Sequence, residues 1–306
     1  MNVGGRNEKL LIVGSVAFDS VETPTGKVDM AIGGSATFAS IAASYWCRPL
    51  PVGVVGEDFG EPQLRRFTDQ GITTEGIERV EGKTFHWRGR YHDDFKGRDT
   101  LETALNVFES FDPVIPEAFR DSRYVLLGNI DPGLQMKVLD QLSAAELVAM
   151  DTMNLWIDIA RDALLELLPR VDILIINDEE AIQLSGSSSV LGAAKTILKM
   201  GPRYLVIKRG EYGALLFGPD VCLFVPAVLL DNVVDPTGAG DCFAGGFVGR
   251  LASAGQLDRT TLASALLDGS VIASYSVEAF SVDGICGLTD ERIADRRSTL
   301  ERMIRL

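Results

Sequence analysis

The residues best suited to chemistry form one short turn, Asp-Pro-Thr-Gly-Ala-Gly-Asp, at positions 235–241. Pro236 does not continue a strand and Thr237 is a favourable N-cap residue, so the pattern predicts a turn that opens a helix. The first N–H groups of a helix have no partners within it and lie at the positive end of its dipole. Such a helix start is a binding site for an anion.

Three residues with almost no side chain, Gly238, Ala239 and Gly240, occupy the middle of this turn. Backbone N–H groups can approach a ligand closely there, which predicts an anion hole. Asp241 adds a carboxylate, which repels a bound anion and is therefore a poor arrangement for binding alone. It is expected if the carboxylate accepts a proton from a nucleophile that attacks the anion. The turn therefore predicts group transfer to a nucleophile, with Asp241 as the general base.

The composition limits the partners of the chain. Its 306 residues carry a net charge of −14, which argues against nucleic acid and against anionic membranes, because both need a basic protein surface. The four cysteines lack the spacing of a metal site, which predicts reduced thiols in a cytoplasmic protein. Residues 1–19 do not have the pattern of a signal peptide, and no apolar run approaches the roughly 20 residues of a membrane-spanning helix. A small anionic substrate is expected only in a locally basic pocket.

Short apolar runs alternate with helical patterns along most of the chain. Leu10–Val13 has the pattern of a buried strand, and strand and helix alternate regularly from about residue 124 onward. This alternation predicts an α/β fold whose mostly parallel central sheet is flanked by helices. Two segments, about 15–32 and 82–110, break the rhythm and are expected to form a small β-strand lid. We expect a single domain over residues 1–306 that includes this lid.

One predicted strand of the lid, at 84–92, alternates between aromatic and basic side chains. The aromatic face comprises Phe85, Trp87 and Tyr91, and the basic face comprises His86, Arg88, Arg90 and His92. The aromatic face is expected either to cover a substrate or to pack against a second lid in a homodimer. The basic face is expected to meet a phosphate or solvent. A segment at 101–108 is the expected neighbour of this strand.

Two common nucleotide-binding motifs do not match. The nearest approach to a P-loop, from Gly76 to Thr84, has one spacer residue too many. The turn after the first strand, Gly14-Ser15-Val16-Ala17, is not the GxGxxG of a Rossmann fold, so a nicotinamide-dependent dehydrogenase is disfavoured.

The stretch from Asp235 to Phe247 resembles the C-terminal signature of the ribokinase-like (PfkB-type) carbohydrate and nucleoside kinases. Further stretches resemble motifs of this family in the same order along nearly the whole chain: GSVAFD at 14–19, GG at 33–34, VGEDFG at 55–60, NDEE at 177–180 and KRGEYG at 208–213. The resemblance implies a ribokinase-like fold with a β lid and an ATP- and Mg²⁺-dependent kinase.

The resemblance also implies roles for individual residues. Asp241 would deprotonate the substrate hydroxyl, and the amides of Gly238, Ala239, Gly240 and Asp241 would hold the transferring phosphoryl group. The residues implied in ATP binding are Thr237, Asn177, Lys208 and Gly210. Asn177 and Glu180 would order the water shell of Mg²⁺, although the pair also has the pattern of an ordinary capping box. Asp235 would help to bind a monovalent cation such as K⁺, and Asp19, Gly33 and Gly34 would hold the substrate hydroxyls.

One position departs from the family pattern, because Phe38 stands where the family usually carries an Asn that grips the sugar. Phe38 forms one helical stripe with Ile41, Ala42 and Tyr45, which is typical of a core residue. Alternatively, Phe38 binds the substrate and offers a ring on which a nucleoside could stack. The interpretation is a kinase that phosphorylates a primary hydroxyl of a sugar, with Arg90 as a further substrate contact. The alternatives are a nucleoside kinase of the same fold and a kinase-like binding protein without turnover.

Overall fold

The computed structural model describes residues 7–95 and 97–304. Within them the strands are β1 (Lys9–Val13), β2 (Ala17–Thr23), β3 (Gly26–Gly33), β4 (Arg48–Val55), β5 (Ile77–Arg79), β6 (Phe85–Tyr91), β7 (Arg98–Ala104), β8 (Tyr124–Leu127), β9 (Leu147–Asp151), β10 (Ile173–Asn177), β11 (Tyr204–Lys208), β12 (Ala214–Gly218) and β13 (Val221–Val225). The α-helices are α1 (Ser35–Ala43), α2 (Glu61–Thr68), α3 (Pro132–Asp140), α4 (Asn154–Ile159), α5 (Arg161–Leu167), α6 (Asp178–Ser185), α7 (Val190–Ile197), α8 (Ala239–Ala254), α9 (Arg259–Ser276) and α10 (Asp290–Ile304). The sequence pattern also predicts a last helix from Asp290 to the C-terminus; helix α10 begins at Asp290, and residues 305–306 lie outside the described residues.

The larger sheet has the strand order β13-β12-β11-β10-β9-β8-β1-β4-β5. The strands from β11 to β5 pair in parallel, whereas β12 and β13 add antiparallel strands at one edge. Helices cover both faces of such a sheet, so its strands are continuously apolar, and Leu10–Val13 of β1 are fully buried. The mostly parallel sheet predicted from the sequence is confirmed. No helix among the described residues combines the length and the apolar character needed to cross a membrane.

The smaller sheet, which we call the lid, has the strand order β3-β2-β6-β7. Its strands fall within the two segments in which the sequence departs from β/α alternation. The predicted boundary of its last strand was wrong, because β7 begins at Arg98 and ends at Ala104. Asn106 adopts a φ of 50°, which ends the strand, and residues 106–110 form a 3₁₀ turn. Phe108 in this turn stacks on Phe85 with ring centroids 5.3 Å apart, so Phe85 serves packing at the base of the lid.

Helix α8 is held close to its neighbours by glycines on two faces. A Cβ at Gly245 would collide with the backbone of Ala39 in α1. A Cβ at Gly246 would lie 2.5 Å from the Ile272 side chain in α9. These contacts fix the axis of α8 and therefore the position of its first turn, which contains Asp241.

A buried carboxylate joins α8, α9 and α10 on the side away from this first turn. Asp268 of α9 is 2% exposed, and its two oxygens face Arg297 of α10 and Arg250 of α8, with Arg250 Nε 3.4 Å from Oδ2. Burial raises the pKa of Asp268 in spite of the two guanidinium groups, so its desolvation is not fully offset. Removal of this carboxylate would leave two arginines facing each other between packed helices.

We expect Asp268→Ala to lower the free energy of unfolding by about 3 kcal/mol, because it breaks a buried ion pair and leaves its partners uncompensated. Urea denaturation would measure the change. The matched control is Asp121→Ala, which removes the exposed ion pair with Lys9 (side chains 67% and 36% exposed) and should leave the free energy of unfolding nearly unchanged, because solvent screens this pair. Equal effects of the two substitutions would contradict the structural role of Asp268.

Candidate active site

Three polar side chains meet where parallel strands of the large sheet end. Asp151 is the last residue of β9, Asn177 of β10 and Lys208 of β11. In the sheet register Asn177 lies beside Lys208, and Asp151 lies beside Ile175. The carboxyl ends of parallel strands form one edge, and α/β proteins bind their ligands there.

Lys208 links this edge to the predicted anion hole. Its Nζ donates a hydrogen bond to Asp151 Oδ2 at 2.8 Å, and the two side chains are 16% and 8% exposed. The same Nζ lies 3.1 Å from the position of a Cβ built on Gly240. Burial lowers the pKa of Lys208, but the surrounding carboxylates outweigh burial and raise it overall. A charged ammonium group is therefore fixed beside the turn that precedes α8.

The loop that follows β11 lies on the open side of this edge. Gly210 has a φ of 52°, and no atom lies within 4 Å of a Cβ built there. Arg209 lies over the Tyr212 ring at 5.6 Å and is 3.5 Å from Asp178 at the start of α6. The ATP contacts predicted for Lys208 and Gly210 remain predictions.

The predicted anion hole forms the first turn of α8. Gly238 is its N-cap with a φ of 75°, a left-handed conformation that favours glycine. The amide of Ala239 donates to the carbonyl of Pro236 at 3.2 Å, so this predicted anion-hole donor is already used in the turn. The amides of Gly240 and Asp241 have no carbonyl partner among the described residues. These two amides are therefore available to an anion.

The two polar residues before the turn hold it in shape. Asp235 is 1% exposed, and its Oδ1 accepts a hydrogen bond from the amide of Thr237 at 2.9 Å. The hydroxyl of Thr237 donates to the hydroxyl of Tyr91 in the lid at 3.2 Å. The monovalent cation predicted at Asp235 and the ATP contact predicted at Thr237 remain predictions.

Phe38 lies beneath the turn. It is 1% exposed, and a Cβ at Gly238 would collide with its ring. Ile41 and Ala42, its neighbours on the same helical stripe, belong to the same buried cluster. The structure thus places Phe38 in the core as a support of the anion turn, and corrects its predicted role as a substrate-binding residue. The reason is the close packing of α1 against α8.

Gly238→Ala should lower kcat by roughly 10- to 100-fold. The new methyl group would collide with the Phe38 ring and displace the turn, and alanine is also unfavourable at this left-handed backbone conformation. Steady-state kinetics and circular dichroism would separate this effect from unfolding. The double variant with Phe38→Leu makes room for the methyl group and should recover part of the lost rate. Full activity of Gly238→Ala alone would contradict the role of this packing.

Asp19, the predicted substrate-binding acid, lies against the predicted diglycine at 33–34. Asp19 of β2 is 8% exposed, and a Cβ at Gly33 would collide with its carboxylate. Gly34 has a φ of 93° and donates its backbone N–H to the same carboxylate. Only glycines allow the backbone to approach the carboxylate in this way. The structure therefore brings Asp19, Gly33 and Gly34 together.

The two acids that face the site titrate near neutral pH. Burial raises the pKa of Asp241 to about 7, and the charge of Asp151 adds to this, whereas Lys208 and Arg98 act in the opposite direction. Burial likewise raises the pKa of Asp19 to about 7, and neighbouring carboxylates contribute. A carboxyl group with a pKa near the working pH is suited to general base catalysis.

Asn177 and Glu180 form the capping box that their spacing suggested. Asn177 Oδ1 accepts from the amide of Glu180 at 2.7 Å, and Glu180 Oε2 accepts from the amide of Asn177 at 2.8 Å. Burial raises the pKa of Glu180 to about 7, since the attraction of Lys208 does not offset it. The described residues contain no cluster of three or more side chains of the types His, Cys, Asp and Glu that could hold a metal ion. The contact with Mg²⁺ through water that was predicted for Asn177 and Glu180 remains a prediction.

The lid contacts the site through Tyr91 and not through Arg90. Tyr91 is 7% exposed and reaches the turn at Thr237. Arg90 instead forms an ion pair with Glu22 at 3.0 Å, with the two side chains 52% and 49% exposed. The substrate contact predicted for Arg90 therefore finds no support in the structure, because the side chain is engaged on the solvent side of the lid.

Sequence reasoning missed Asp151 and Arg98. The sequence analysis gave Asp151 no role, and the convergence of strand ends at one edge of the sheet could have identified it. Arg98 was outside the predicted strand at 101–108, so the pairing that brings it opposite Tyr91 was not foreseen.

Comparisons with known proteins identify the family of the chain. A model of the pfkB family of carbohydrate kinases matches residues 7–285. Cytidine kinase from Thermococcus kodakarensis is 31% identical over 246 residues, which cover 78% of this chain and 87% of that one. Nucleoside kinase from Methanocaldococcus jannaschii has a similar fold, with a TM-score of 0.77 at 20% identity over 97% of this chain and 100% of that one. A protein described as ribokinase II from E. coli, solved with ATP and Mg²⁺, has a TM-score of 0.77 at 19% identity over 96% of this chain and 99% of that one.

The motifs recognised in the sequence, the mostly parallel sheet with its small second sheet and the match over residues 7–285 lead to one assignment. The chain belongs to the pfkB family of carbohydrate kinases and is a phosphotransferase of ribokinase-like fold that acts on an alcohol group.

Proposed function

We propose that the protein transfers the γ-phosphoryl group of ATP to the primary hydroxyl of the ribose of a nucleoside. The observation that carries this proposal is the pair of acids, Asp19 on the diglycine and Asp241 at the anion turn, which are close enough for the charge of Asp241 to raise the pKa of Asp19. A substrate that bridges them has one hydroxyl at each carboxylate. Ribose offers a primary hydroxyl at one end and two neighbouring hydroxyls at the other.

In the proposed reaction Asp241 accepts the proton of the primary hydroxyl. The hydroxyl oxygen then forms a bond to the γ-phosphorus, while the bond from this phosphorus to the bridging oxygen of ADP breaks. The amides of Gly240 and Asp241, together with the ammonium group of Lys208, are placed to stabilise the charge on the group in transfer. Asp19 accepts hydrogen bonds from the other ribose hydroxyls and orients the acceptor.

Mg²⁺ would be held through water by Asn177 and Glu180. Oxygen donors are the ligands that this ion prefers, and Mg²⁺ usually keeps several waters next to nucleotide phosphates. Burial raises the pKa of Glu180 and the charge of Asp151 adds to this, so a cation bound at this edge would favour the ionised carboxylate. When bound, Mg²⁺ would neutralise part of the negative charge of the phosphates.

The choice of a nucleoside rests on the lid and on the cytidine kinase resemblance. Trp87 is the register partner of Asp19 in the lid, so an aromatic residue lies on the same lid face as the acid that would hold the ribose. Because Phe38 is core, Trp87 takes over the stacking role that the sequence had suggested for Phe38. Free sugars are the second candidate, since a Lactococcus lactis ribokinase is 25% identical over 90% of this chain and 93% of its own length.

An ADP-release assay with ATP, Mg²⁺ and separate acceptors would test the proposal. The acceptors are cytidine, uridine, inosine, adenosine, ribose and inositol. We expect kcat/KM to be at least about tenfold higher for one of the nucleosides than for either free polyol, because the base adds a stacking contact. A higher kcat/KM for ribose or inositol would replace the nucleoside with a sugar. Absence of turnover with every acceptor, in a protein that binds ATP, would favour the binding-protein alternative.

A further inference from the structure

One face of the lid carries an arginine that the proposed reaction has not yet used. Arg98 of β7 lies directly opposite Tyr91 of β6 in the antiparallel register, so the two side chains point to the same face. Tyr91 on this face accepts the hydrogen bond from Thr237 of the anion turn. Arg98 therefore lies on the side of the lid that faces the active site.

The position of Arg98 is set by an aromatic support. Its guanidinium carbon lies 5.5 Å from the centroid of the Trp87 ring, within the range of a cation–π contact. A Cβ at Gly89 would collide with the Trp87 ring, so glycine at 89 leaves room for the indole to lie across the strand. Trp87 Nε1 also donates to Thr100 Oγ1 at 3.4 Å, which fixes the ring against β7.

Arg98 differs from Arg90 and His92 of the lid in its partners. Arg90 is paired with Glu22 at 3.0 Å and His92 with Asp99 at 3.3 Å, both on the exposed part of the lid. Among the described residues no carboxylate lies within ion-pair distance of Arg98. Its guanidinium nevertheless lies near enough to lower the pKa of Asp19, Asp241 and Glu180.

Those three acids surround the space in which the reaction would occur. Asp19 stands at the acceptor, Asp241 at the anion turn and Glu180 at the water-mediated Mg²⁺ position. Because the charge of the Arg98 guanidinium acts on all three acids, this group is directed toward the space between them. In the proposed reaction this space is the path of the phosphoryl group. Its five N–H donors match the geometry of phosphate oxygens.

We propose that Arg98 is a catalytic residue supplied by the lid, whose guanidinium donates hydrogen bonds to the phosphoryl group during its transfer to the acceptor. This inference rests on the proposed function. Negative charge spreads over the equatorial oxygens of the group in transfer, and a donor on the side opposite Lys208 and the α8 amides stabilises it. The hydrogen bond between Thr237 and Tyr91 holds the lid, and with it Arg98, against the anion turn.

Arg98→Gln, Arg98→Lys and the matched control Arg90→Gln would test the proposal by steady-state kinetics. Loss of one positioned donor at a transition state typically costs 10²- to 10³-fold in kcat, and we expect about this loss for Arg98→Gln, with the KM for ATP changed by less than about threefold. Arg98→Lys should recover part of the rate, because lysine restores the positive charge but not the planar set of N–H donors of the guanidinium group. Arg90→Gln should stay within about twofold of the wild type.

The pH profile adds a readout that a merely structural role would not change. The Arg98 charge lowers the pKa of Asp241, so Arg98→Gln should move the acid limb of kcat/KM to higher pH. A kcat within about threefold of the wild type, an unchanged acid limb, or a loss confined to the KM of the acceptor would each overturn the proposal.

Calorimetric binding of ADP, Mg²⁺ and aluminium fluoride, a mimic of the group in transfer, separates this proposal from the proposed function. The wild type should bind ADP at least about tenfold more tightly with the fluoride than without it. Arg98→Gln should lose most of this gain and bind ADP alone normally. This result does not depend on phosphorylation of any acceptor in the panel. A failure to phosphorylate every acceptor would count against the proposed nucleoside kinase and not against the role of Arg98. A gain that is equal in the two proteins, or absent in the wild type, would overturn the role of Arg98.

Discussion

Asp241→Asn is expected to lower kcat by about 10³- to 10⁴-fold with a KM for the acceptor within a few-fold of the wild type. The asparagine keeps the size of the side chain at the first turn of α8 but cannot accept the proton of the substrate hydroxyl. Because the loss arises in the transition state, it should appear in kcat. Steady-state ADP release with the best acceptor would measure it.

The wild-type pH profile should carry the signature of the same residue. The pKa of Asp241 is raised to about 7, so the active, ionised form prevails above this pH and is lost below it. We therefore expect kcat/KM to fall at least about tenfold for each pH unit below about 7, and more steeply where Asp19 is protonated as well. An acid limb near pH 4 would show that the essential base is an ordinary exposed carboxylate.

Protein stability provides the control for Asp241→Asn. The folded state binds a proton at Asp241 more tightly than the unfolded state, because the folded pKa is about 7 against 3.8 for the free side chain. The wild type should gain stability at this site as the pH falls from about 7 towards 4. Above pH 7 the wild type carries a buried ionised carboxylate, which lowers its stability, whereas the asparagine of the variant is neutral. Asp241→Asn should therefore melt at or above the wild-type temperature at pH 8. A marked drop in melting temperature would attribute lost activity to misfolding.

The second large effect is expected at Asp19. Asp19→Asn should lower kcat/KM for the acceptor by roughly 10²- to 10³-fold, mainly by raising its KM, because hydrogen bonds from hydroxyls to a buried carboxylate are stronger than those to a neutral amide. The KM for ATP should change little, since Asp19 lies on the lid side of the site. Separate titrations of acceptor and ATP would distinguish the two.

Two further variants limit the interpretation of Asp19→Asn. Gly33→Ala should reproduce the rise in acceptor KM, because its Cβ would collide with the Asp19 carboxylate. Glu22→Gln removes a half-exposed carboxylate of the same strand, paired only with Arg90 in the described ion pairs, and should be within about twofold of the wild type. If the KM for ATP rose as much as that for the acceptor in Asp19→Asn, Asp19 would not be an acceptor ligand.

The features that could be predicted from the sequence are those that depend on local chemistry. The turn at 235–241 opens a helix because proline and glycines each favour that geometry wherever they occur. The N-cap role expected of Thr237 was wrong, because Gly238 is the N-cap and the Thr237 hydroxyl donates a hydrogen bond to Tyr91 instead. The diglycine at 33–34 likewise allows a close backbone approach whatever surrounds it. Strands such as Leu10–Val13 are recognised because burial on both faces requires a continuous apolar run.

The features that could not be predicted depend on partners distant in sequence. Phe38 has the same helical pattern whether it faces a substrate or the underside of Gly238, and only the packing of α1 on α8 decides between them. The pairing of β6 with β7 places Arg98 opposite Tyr91, whereas the hydrophobic pattern alone moved the strand boundary to residue 101. The contact of Lys208 with ATP remains a prediction, whereas its ion pair with Asp151, 57 residues away in sequence, could not be predicted from local patterns.

The central claim is that this protein transfers a phosphoryl group from ATP to a primary hydroxyl with Asp241 as the base. Phosphorus NMR of the products formed from ATP, Mg²⁺ and cytidine tests it most directly. The wild type should give a phosphomonoester whose phosphorus couples to the two protons of a primary carbon, in an amount equal to the ADP formed, and Asp241→Asn should give almost none in the same time. Formation of ADP with inorganic phosphate alone, or equal ester from the two proteins, would contradict the account.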